Sequence, residues 1–357
     1  MKVYTKFISL IYFKSLLFVF FIMLSLVFIL NLLSELEFFR DENVSLILTL
    51  FLSLLNSPAL IFEMFPFILL ITVQLLFIKL FENKEIEIFK YSGLKNTKIL
   101  IIVCSLSLIT GIFLISIFYN LSSNLKNIYI ELKSSYATDG KYLAVVTKNG
   151  LWIKDKIENK IIITNSSSVT DKYLINNFIT EFDKDFNIIR NINSEKIDIS
   201  ENNWKILNPR VYIENTYIEG NSLQLKTNFD LKRIKTLYSN LSALDLYELY
   251  ELRENYKRLN YSLIDIDLHI LKLFSNPIYL LLISIFSALI MFSIKQIKST
   301  TFKISVGLFF SVIIYYFNNF SYVLGSTEKI SLVLSIFVPL IILSIINIFM
   351  IYKINEK

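Results

Sequence analysis

Cysteine and histidine are almost missing from this 357-residue chain, which has 1 Cys and 1 His. Cys104 lies within an apolar run, so neither a disulfide framework nor a cysteine-rich metal site can form. His269 alone excludes a multi-histidine metal centre built by this chain. Glycine and proline are scarce, at 7 and 5, and no G-x-x-x-x-G-K-[ST] phosphate loop occurs. A transport process built on this chain must therefore borrow its ATPase from another protein. G-x-S-x-G and H-E-x-x-H are absent too, which removes the recognisable hydrolase centres. Asp183, Asp185, Asp198 and Glu201 read as solvated turn residues, and nothing singles out a catalytic pair among them.

Apolar residues, by contrast, make up 54% of the chain, with 31 Phe, and the mean hydropathy is +0.55. A soluble core cannot use that much apolar surface, whereas a bilayer can. The formal charge of +6 is not gathered into a dense basic block. Lysines and arginines flank the apolar runs in small groups, as topology determinants do, which argues against a nucleic-acid partner.

A membrane-crossing helix needs roughly 20 apolar residues. That criterion predicts six spans, near residues 7–33, 58–80, 99–119, 274–294, 302–324 and 330–352. The first is too long for a signal-peptide core and has no A-x-A-like cleavage site, so it reads as a retained anchor. The run 44–55 reads as an early, bent part of the second span, with Pro58 and Pro66 supplying the bends. Lys2, Lys6 and Lys14, then Lys79, Lys84, Lys90, Lys95 and Lys98, then Lys295, Lys298 and Lys303, and finally Lys353 and Lys357 share one side. The opposite loops carry Glu35, Glu37, Asp41 and Glu42 against Arg40, and Glu328 against Lys329. Both termini are therefore expected in the cytoplasm, and the long segment 121–273 on the far side.

That segment alternates short apolar stretches with polar turns over 141–230. Strands are expected at 142–147, 151–153, 161–164, 186–189, 204–207 and 211–213, in a sandwich or jelly roll. Trp152 and Trp204 are its expected core aromatics. A helical return follows over 243–260, with Leu244, Tyr247, Leu249, Leu252 and Tyr256 as apolar members. The expected fold class is a polytopic α-helical membrane protein of six spans with an inserted all-β jelly-roll domain. Its parts are 1–120, 121–273 and 274–357.

The loop 81–98 reads as a short amphipathic helix, about 82–93, on the cytoplasmic face. Ile86 and Phe89 share a side, Glu85, Glu87 and Lys90 surround them, and Gly93 falls where a left-handed C′ residue belongs. A simple connector and a helix seated in an ATPase groove both fit this pattern. In the second case Phe89 packs as an anchor and Glu85 meets a basic rim. Glu63, at the border of the second span, should face protein or a polar cavity, because a mid-membrane charge costs about 2.5–3.5 kcal/mol. Gln74 and the Ser107/Gly111 pair read as packing devices between spans. His269 falls at the membrane boundary.

These motifs, in this order, resemble the LptF/LptG family of lipopolysaccharide-export permeases, on its LptG side by the flank 241–260. Lys84-Glu85-Ile86-Glu87-Ile88-Phe89-Lys90-Tyr91-Ser92-Gly93 is similar to the family's S-E-L-V-x-x-R-A-x-G, with Lys90 for the arginine. Pro58 and Pro66, the Tyr119-Asn120 junction, Gly150-Leu151-Trp152-Ile153-Lys154-Asp155, Trp204-Lys205-Ile206-Leu207, Pro277, Gly325 and Pro339 also fall in place. The resemblance implies an inner-membrane ABC transporter in which this chain pairs with an LptF-like paralogue on an LptB-like ATPase dimer. LptC- and LptA-like periplasmic proteins would receive the lipid. It implies that this chain binds no cofactor, with ATP and Mg2+ held by the ATPase partner. It also makes Glu85, Ile86, Phe89, Lys90 and Gly93 the coupling helix, and puts Asn31, Glu35 and Arg40 beside the lipid headgroup. The acidic outer end, Glu35, Glu37, Asp41 and Glu42, departs from the family's basic pattern there. Two other readings stay open from the residues alone: a membrane-anchored receptor or scaffold, and a hydrolase using Glu63 or soluble-domain carboxylates.

Overall fold

Backbone groups in hydrocarbon must be satisfied within the protein, so long apolar runs fold as helices. A computed structural model describes residues 3–40, 44–134, 136, 151–157, 160–170, 172–213, 216–231, 234, 240–259, 262–297 and 299–355. Asp41, Glu42, Gly150, Lys298 and the strand expected at 142–147 lie outside them. The chain divides into two units, Met1–Lys126 with Ile264–Lys357, and Asn127–Leu263.

The first unit holds α1 (Val3–Phe38), α2 (Leu46–Glu82), α3 (Glu85–Tyr91) and α4 (Asn96–Phe113). A π-helical turn, Leu114–Tyr119, leads from α4 into α5 (Asn120–Ser134), within which the chain passes from one unit to the other. After the second unit come α7 (Ile264–Ser293), α8 (Thr300–Ser326) and α9 (Leu332–Asn355). Six of these helical stretches are long and apolar enough to cross a membrane.

The run 44–55 proves to be the first part of one continuous 37-residue helix, α2, capped by Ser45, whose Oγ accepts from the Leu48 amide. Pro58 and Pro66 lie inside α2 and withhold two amides from its ladder. At 1.5 Å per residue α2 is roughly 55 Å long, well beyond the hydrocarbon thickness. It is also the hub of the unit. Leu69, Val73, Leu76 and Phe77 are fully buried among residues of α1, α4 and α7. Gly111 of α4 meets Pro277 of α7 so closely that an added Cβ would stand 2.8 Å from the proline Cα. Gly325 gives Ser335 a similar place. Small residues thus buy close approach where lipid offers no hydrophobic drive.

Burial is uneven among the spans. In α1 and α8 only 17% of the most apolar window is buried, against 67% in α2 and α7. Phe18, Phe21, Ile29 and Leu30 of α1, and Phe309, Tyr316 and Phe320 of α8, are exposed apolar surface.

The second unit holds an antiparallel sheet: β1 (Leu151–Ile157), β2 (Lys160–Thr170), β3 (Tyr173–Phe182), β4 (Ile188–Asp198), β5 (Asn203–Leu207), β6 (Arg210–Ile213), β7 (Thr216–Glu219) and β8 (Ser222–Lys226). β5 and β6 pair with β4 in one unbroken register, as Leu207↔Lys196 and Arg210↔Asn193. They are one strand interrupted at Asn208–Pro209, where φ of Asn208 is 47° and proline lacks an amide. β7 and β8 match them in the same way. Hydrogen-bonded neighbours among the described strands therefore follow chain order, as a meander, without the crossover that a jelly roll requires.

The meander's first and last strands are tied together. The Asp155 carboxylate of β1 accepts from the Thr227 hydroxyl at 2.9 Å, the Asn228 amide at 2.8 Å and Asn228 Nδ2 at 2.8 Å, just past β8. Trp204 Nε1 donates to the Phe229 carbonyl at 2.6 Å, and Trp204 is buried, as expected. Ile153, Thr164, Ile179 and Ile192 form one buried cross-strand row. Trp152 is not a core residue. Alternation puts it on the other face from Leu151 and Ile153, in register with Phe178 through Asn165, and it is 51% exposed. The helical return is α6 (Leu246–Leu259), with Leu249 and Leu252 buried and Tyr247 exposed.

Candidate functional site

The short helix between the second and third spans is built as a rigid corner. Two left-handed residues bracket α3: Lys84 at φ 54° and Gly93 at φ 79°. At its end the Leu94 amide donates to the Phe89 carbonyl at 2.8 Å and the Gly93 amide to Lys90 at 2.9 Å. This is the six-to-one, five-to-two pairing of a Schellman cap, with Gly93 at C′. A Cβ on Gly93 would meet nothing within 4 Å, so its need is conformational and not steric.

Burial sorts the α3 side chains. Ile86 is buried, and Phe89 is half-buried with its ring edge-on to Phe7 of α1, centroids 6.2 Å apart. Phe89 therefore seats α3 against its own membrane unit and is not the outward anchor that the sequence suggested. The outward apolar residues are Ile88, 58% exposed, and Tyr91, 91% exposed, with Glu87 and Lys90 beside them. Glu85 lies in the first turn, where the helix dipole favours a carboxylate. It accepts from Asn83 Nδ2 at 3.4 Å, and its Oε2 is enclosed rather than presented at a rim. The sequence pattern grouped Ile86 and Phe89 on one side, as the structure does, but gave no sign that this side faces the chain's own α1.

At the other end of α1 and α2, Asn31 Nδ2 donates to the Ser53 carbonyl at 3.0 Å, and Asn56 Nδ2 donates to Asn31 Oδ1 at 3.1 Å. Asn31 and Glu35 are 8% and 1% exposed. Both are turned into the helix pair and offer no headgroup surface. Arg40 is exposed, as is Glu37. The acidic departure from the family pattern therefore shrinks, because Glu35 is withdrawn from the surface.

Glu63 is exposed on α2, within electrostatic reach of Lys126. Nearby in charge, Lys126 and Lys272 both act on His269, which shares a 3.1 Å hydrogen bond with the Tyr119 hydroxyl across the third and fourth spans. His269 is thus an interhelical tie, which the sequence did not single out. Tyr12 is another: its buried hydroxyl lies 3.3 Å from both Ser107 and Thr110, joining α1 to α4.

The soluble carboxylates are turn residues. Asp183 accepts from the amides of Asp185 and Asn187, both at 2.9 Å, which with Asn187 Nδ2 holds its carboxyl below the usual range. For Asp198, burial acts upward, but Lys172 at 2.8 Å and Ser200 overcome it and bring the carboxyl to about 2. Neither pairs with a second acid, and no group of three or more metal-ligating side chains occurs among the described residues.

Six membrane-length helices flanking a β-unit, with a capped corner helix between the second and third, is the architecture that the motif order implied. The profile of the family described as lipopolysaccharide export system permease LptF/LptG matches residues 8–353. The chain belongs to the LptF/LptG permease family. No curated protein matches the chain. Members of this family are permease subunits rather than ATPases, so this permease is a multi-pass membrane protein of lipopolysaccharide export. Among the described residues, the outward edge of α3 and the faces of α1 and α8 leave large apolar side chains exposed.

Proposed function

We propose that this permease is one half of a two-permease ABC exporter, moved by an ATPase dimer that grips α3, and that it lifts lipopolysaccharide out of the inner membrane. The observation that carries this reading is the outward edge of α3, where Tyr91 stands 91% exposed on a helix whose other side is anchored by Ile86 and Phe89. A large aromatic held so far out on a rigid corner suits the groove of a partner.

The spare apolar faces of α1 and α8 fit the rest. An LptF-like paralogue beside them would enclose a chamber walled by Phe, Leu and Ile, open to acyl chains from the bilayer. Closure of the ATPases would push α3, and with it α2 and α4, and narrow the chamber. The lysine-rich loops support cytoplasmic termini and a periplasmic β-unit. There the β-meander, closed through Asp155, would shelter acyl chains and pass them to LptC- and LptA-like proteins. Keeping apolar area dry is worth about 25 cal/mol per Å2. The withdrawal of Glu35 removes one like charge from the path of an anionic headgroup, which favours lipopolysaccharide itself as cargo. Asn31 and Glu35 would act by holding α1 to α2, and Arg40 would be the headgroup contact among the described residues.

Tyr91→Glu tests the reading at a position where the fold does not depend on the side chain. Co-purification of an ATPase from detergent should drop at least several-fold, with the paralogue retained. Undiminished ATPase recovery would refute α3 as the grip, and recovery of neither partner with the unmodified chain would favour a scaffold.

A further inference from the structure

Resting on that reading, we propose that Gln74 and Gly307 are a key and slot that make α2 and α8 one moving part, so that displacement of α3 is delivered directly to the fifth span. Gln74 is fully buried in α2, and its Nε2 donates to the Lys303 carbonyl of α8 at 2.9 Å. Gly307 is one turn further along α8. A Cβ there would stand 2.0 Å from Gln74 Nε2, 2.5 Å from Cδ and 2.7 Å from Oε1. The amide therefore occupies the volume that any other residue's side chain would fill.

The slot has one register. A slip of α8 by one turn would present Lys303 or Ser311 to the amide in place of Gly307. It would also strand the amide in an apolar interior, without water to replace its acceptor. A second tie lies at the cytoplasmic end, where the Thr300 hydroxyl donates to Glu82 Oε1 at 3.1 Å. The Lys303 ammonium also sits over the Phe81 ring, 5.7 Å from its centroid. Glu82 ends α2, and only Asn83 and Lys84 separate it from α3. A push on α3 thus reaches α8 through two fixed points on one side of α2. α1 is held to α2 at the other end, through Asn31 to Ser53 and Asn56, and to α4 through Tyr12.

The test uses the whole exporter in lipid vesicles, with Cys104→Ser removing the native thiol. Glu82→Cys and Thr300→Cys are bridged by a short bifunctional thiol reagent. The bridged complex should still release lipid on ATP hydrolysis, since the joined helices do not need to part. Gly307→Ala evicts the amide and Gln74→Leu removes it. Each should lower lipid released per ATP several-fold while hydrolysis continues, and the double variant should be no worse than either, as for two halves of one contact. The bridge should restore release to the Gly307→Ala complex. Loss of release on bridging the otherwise unaltered complex would overturn the proposal, as would unchanged release per ATP in both single variants. Failure of the underlying reading looks different: the unmodified chain then shows no ATP-driven release at all.

Discussion

At the scale of single residues, the functional weight of a side chain here depends on which way its element turns it. Phe89 and Tyr91 are two positions apart in α3, yet one is edge-on to Phe7 and the other is 91% exposed. The sequence pattern marks only Phe89 as a possible anchor. Only the packing of α3 on α1 separates them, and that is a long-range fact the local pattern does not carry. Trp152 fell to the same cause, since one residue of register decides which face of a sheet a side chain joins. Gly93 was legible because a left-handed cap is a local requirement that glycine meets best. The pH response of the β-unit is also local. The Asp198 carboxyl is lowered to about 2, with Lys172 raised in return. A lowered carboxyl stabilises the fold above its unfolded value of about 3.9 and loses that contribution as pH falls toward its folded value. Hydrogen exchange at Ile199, whose amide donates to the Lys172 carbonyl at 3.0 Å, should keep its intrinsic-rate-corrected protection above pH 5 and show a fall in it between about pH 4 and 2. The size is modest, because Lys172 is largely solvated. Lys172→Met should flatten the profile.

At the scale of elements, the spans were plain as apolar runs but their ends were not. Helices here continue past the hydrocarbon, so α2 begins at Leu46 while the expected bilayer segment began at Pro58. A proline inside a membrane helix is tolerated where neighbours and hydroxyls absorb the lost bonds. Ser53 and Ser57, which donate to the Thr49 and Ser53 carbonyls at 2.8 and 2.6 Å, lie in that stretch. β3 was missed because Asn176-Asn177 reads as a turn. Asn176 does sit at φ 50°, but Asn177 is inside the sheet, accepting from the Ser166 hydroxyl at 2.6 Å. Helix pairing also had local markers. The Ser107/Gly111 spacing was legible as a contact surface, but its partners, Tyr12 and Pro277, were not. Gly111→Ala should destabilise the α4–α7 pair by about 1–3 kcal/mol, the usual cost of overpacking. Thermal unfolding in detergent reads this as a lowered midpoint, and an unchanged midpoint would show that the pair opens without cost.

At the scale of the whole molecule, the arrangement is three spans, a β-unit and three spans. It was readable because charge, hydropathy and strand spacing change at the same places in the chain. What did not follow from the sequence was the unequal burial of those spans. α1 has the highest mean hydropathy of the six spans, 2.9, and α8 the lowest, 1.5, yet both windows are 17% buried, so packing rather than hydropathy leaves them uncovered. The topology predicts that a thiol placed by Tyr91→Cys reacts with a membrane-impermeant label only from the cytoplasmic side, and one placed by Trp152→Cys only from the opposite side. Labelling of both from one side would remove the basis for any hand-off across the bilayer.

The bracketing of α3 by Lys84 and Gly93 also limits what can be altered around it. Each residue added to a helix turns everything beyond it by about 100°. An insertion or deletion of one residue between positions 85 and 91 would swing Ile86 or Tyr91 a quarter-turn out of place, with no slack in either corner to absorb it. Chain length across this joint should therefore tolerate less variation than residue identity does, and libraries that scan single-residue indels should find it among the least forgiving stretches of the polypeptide.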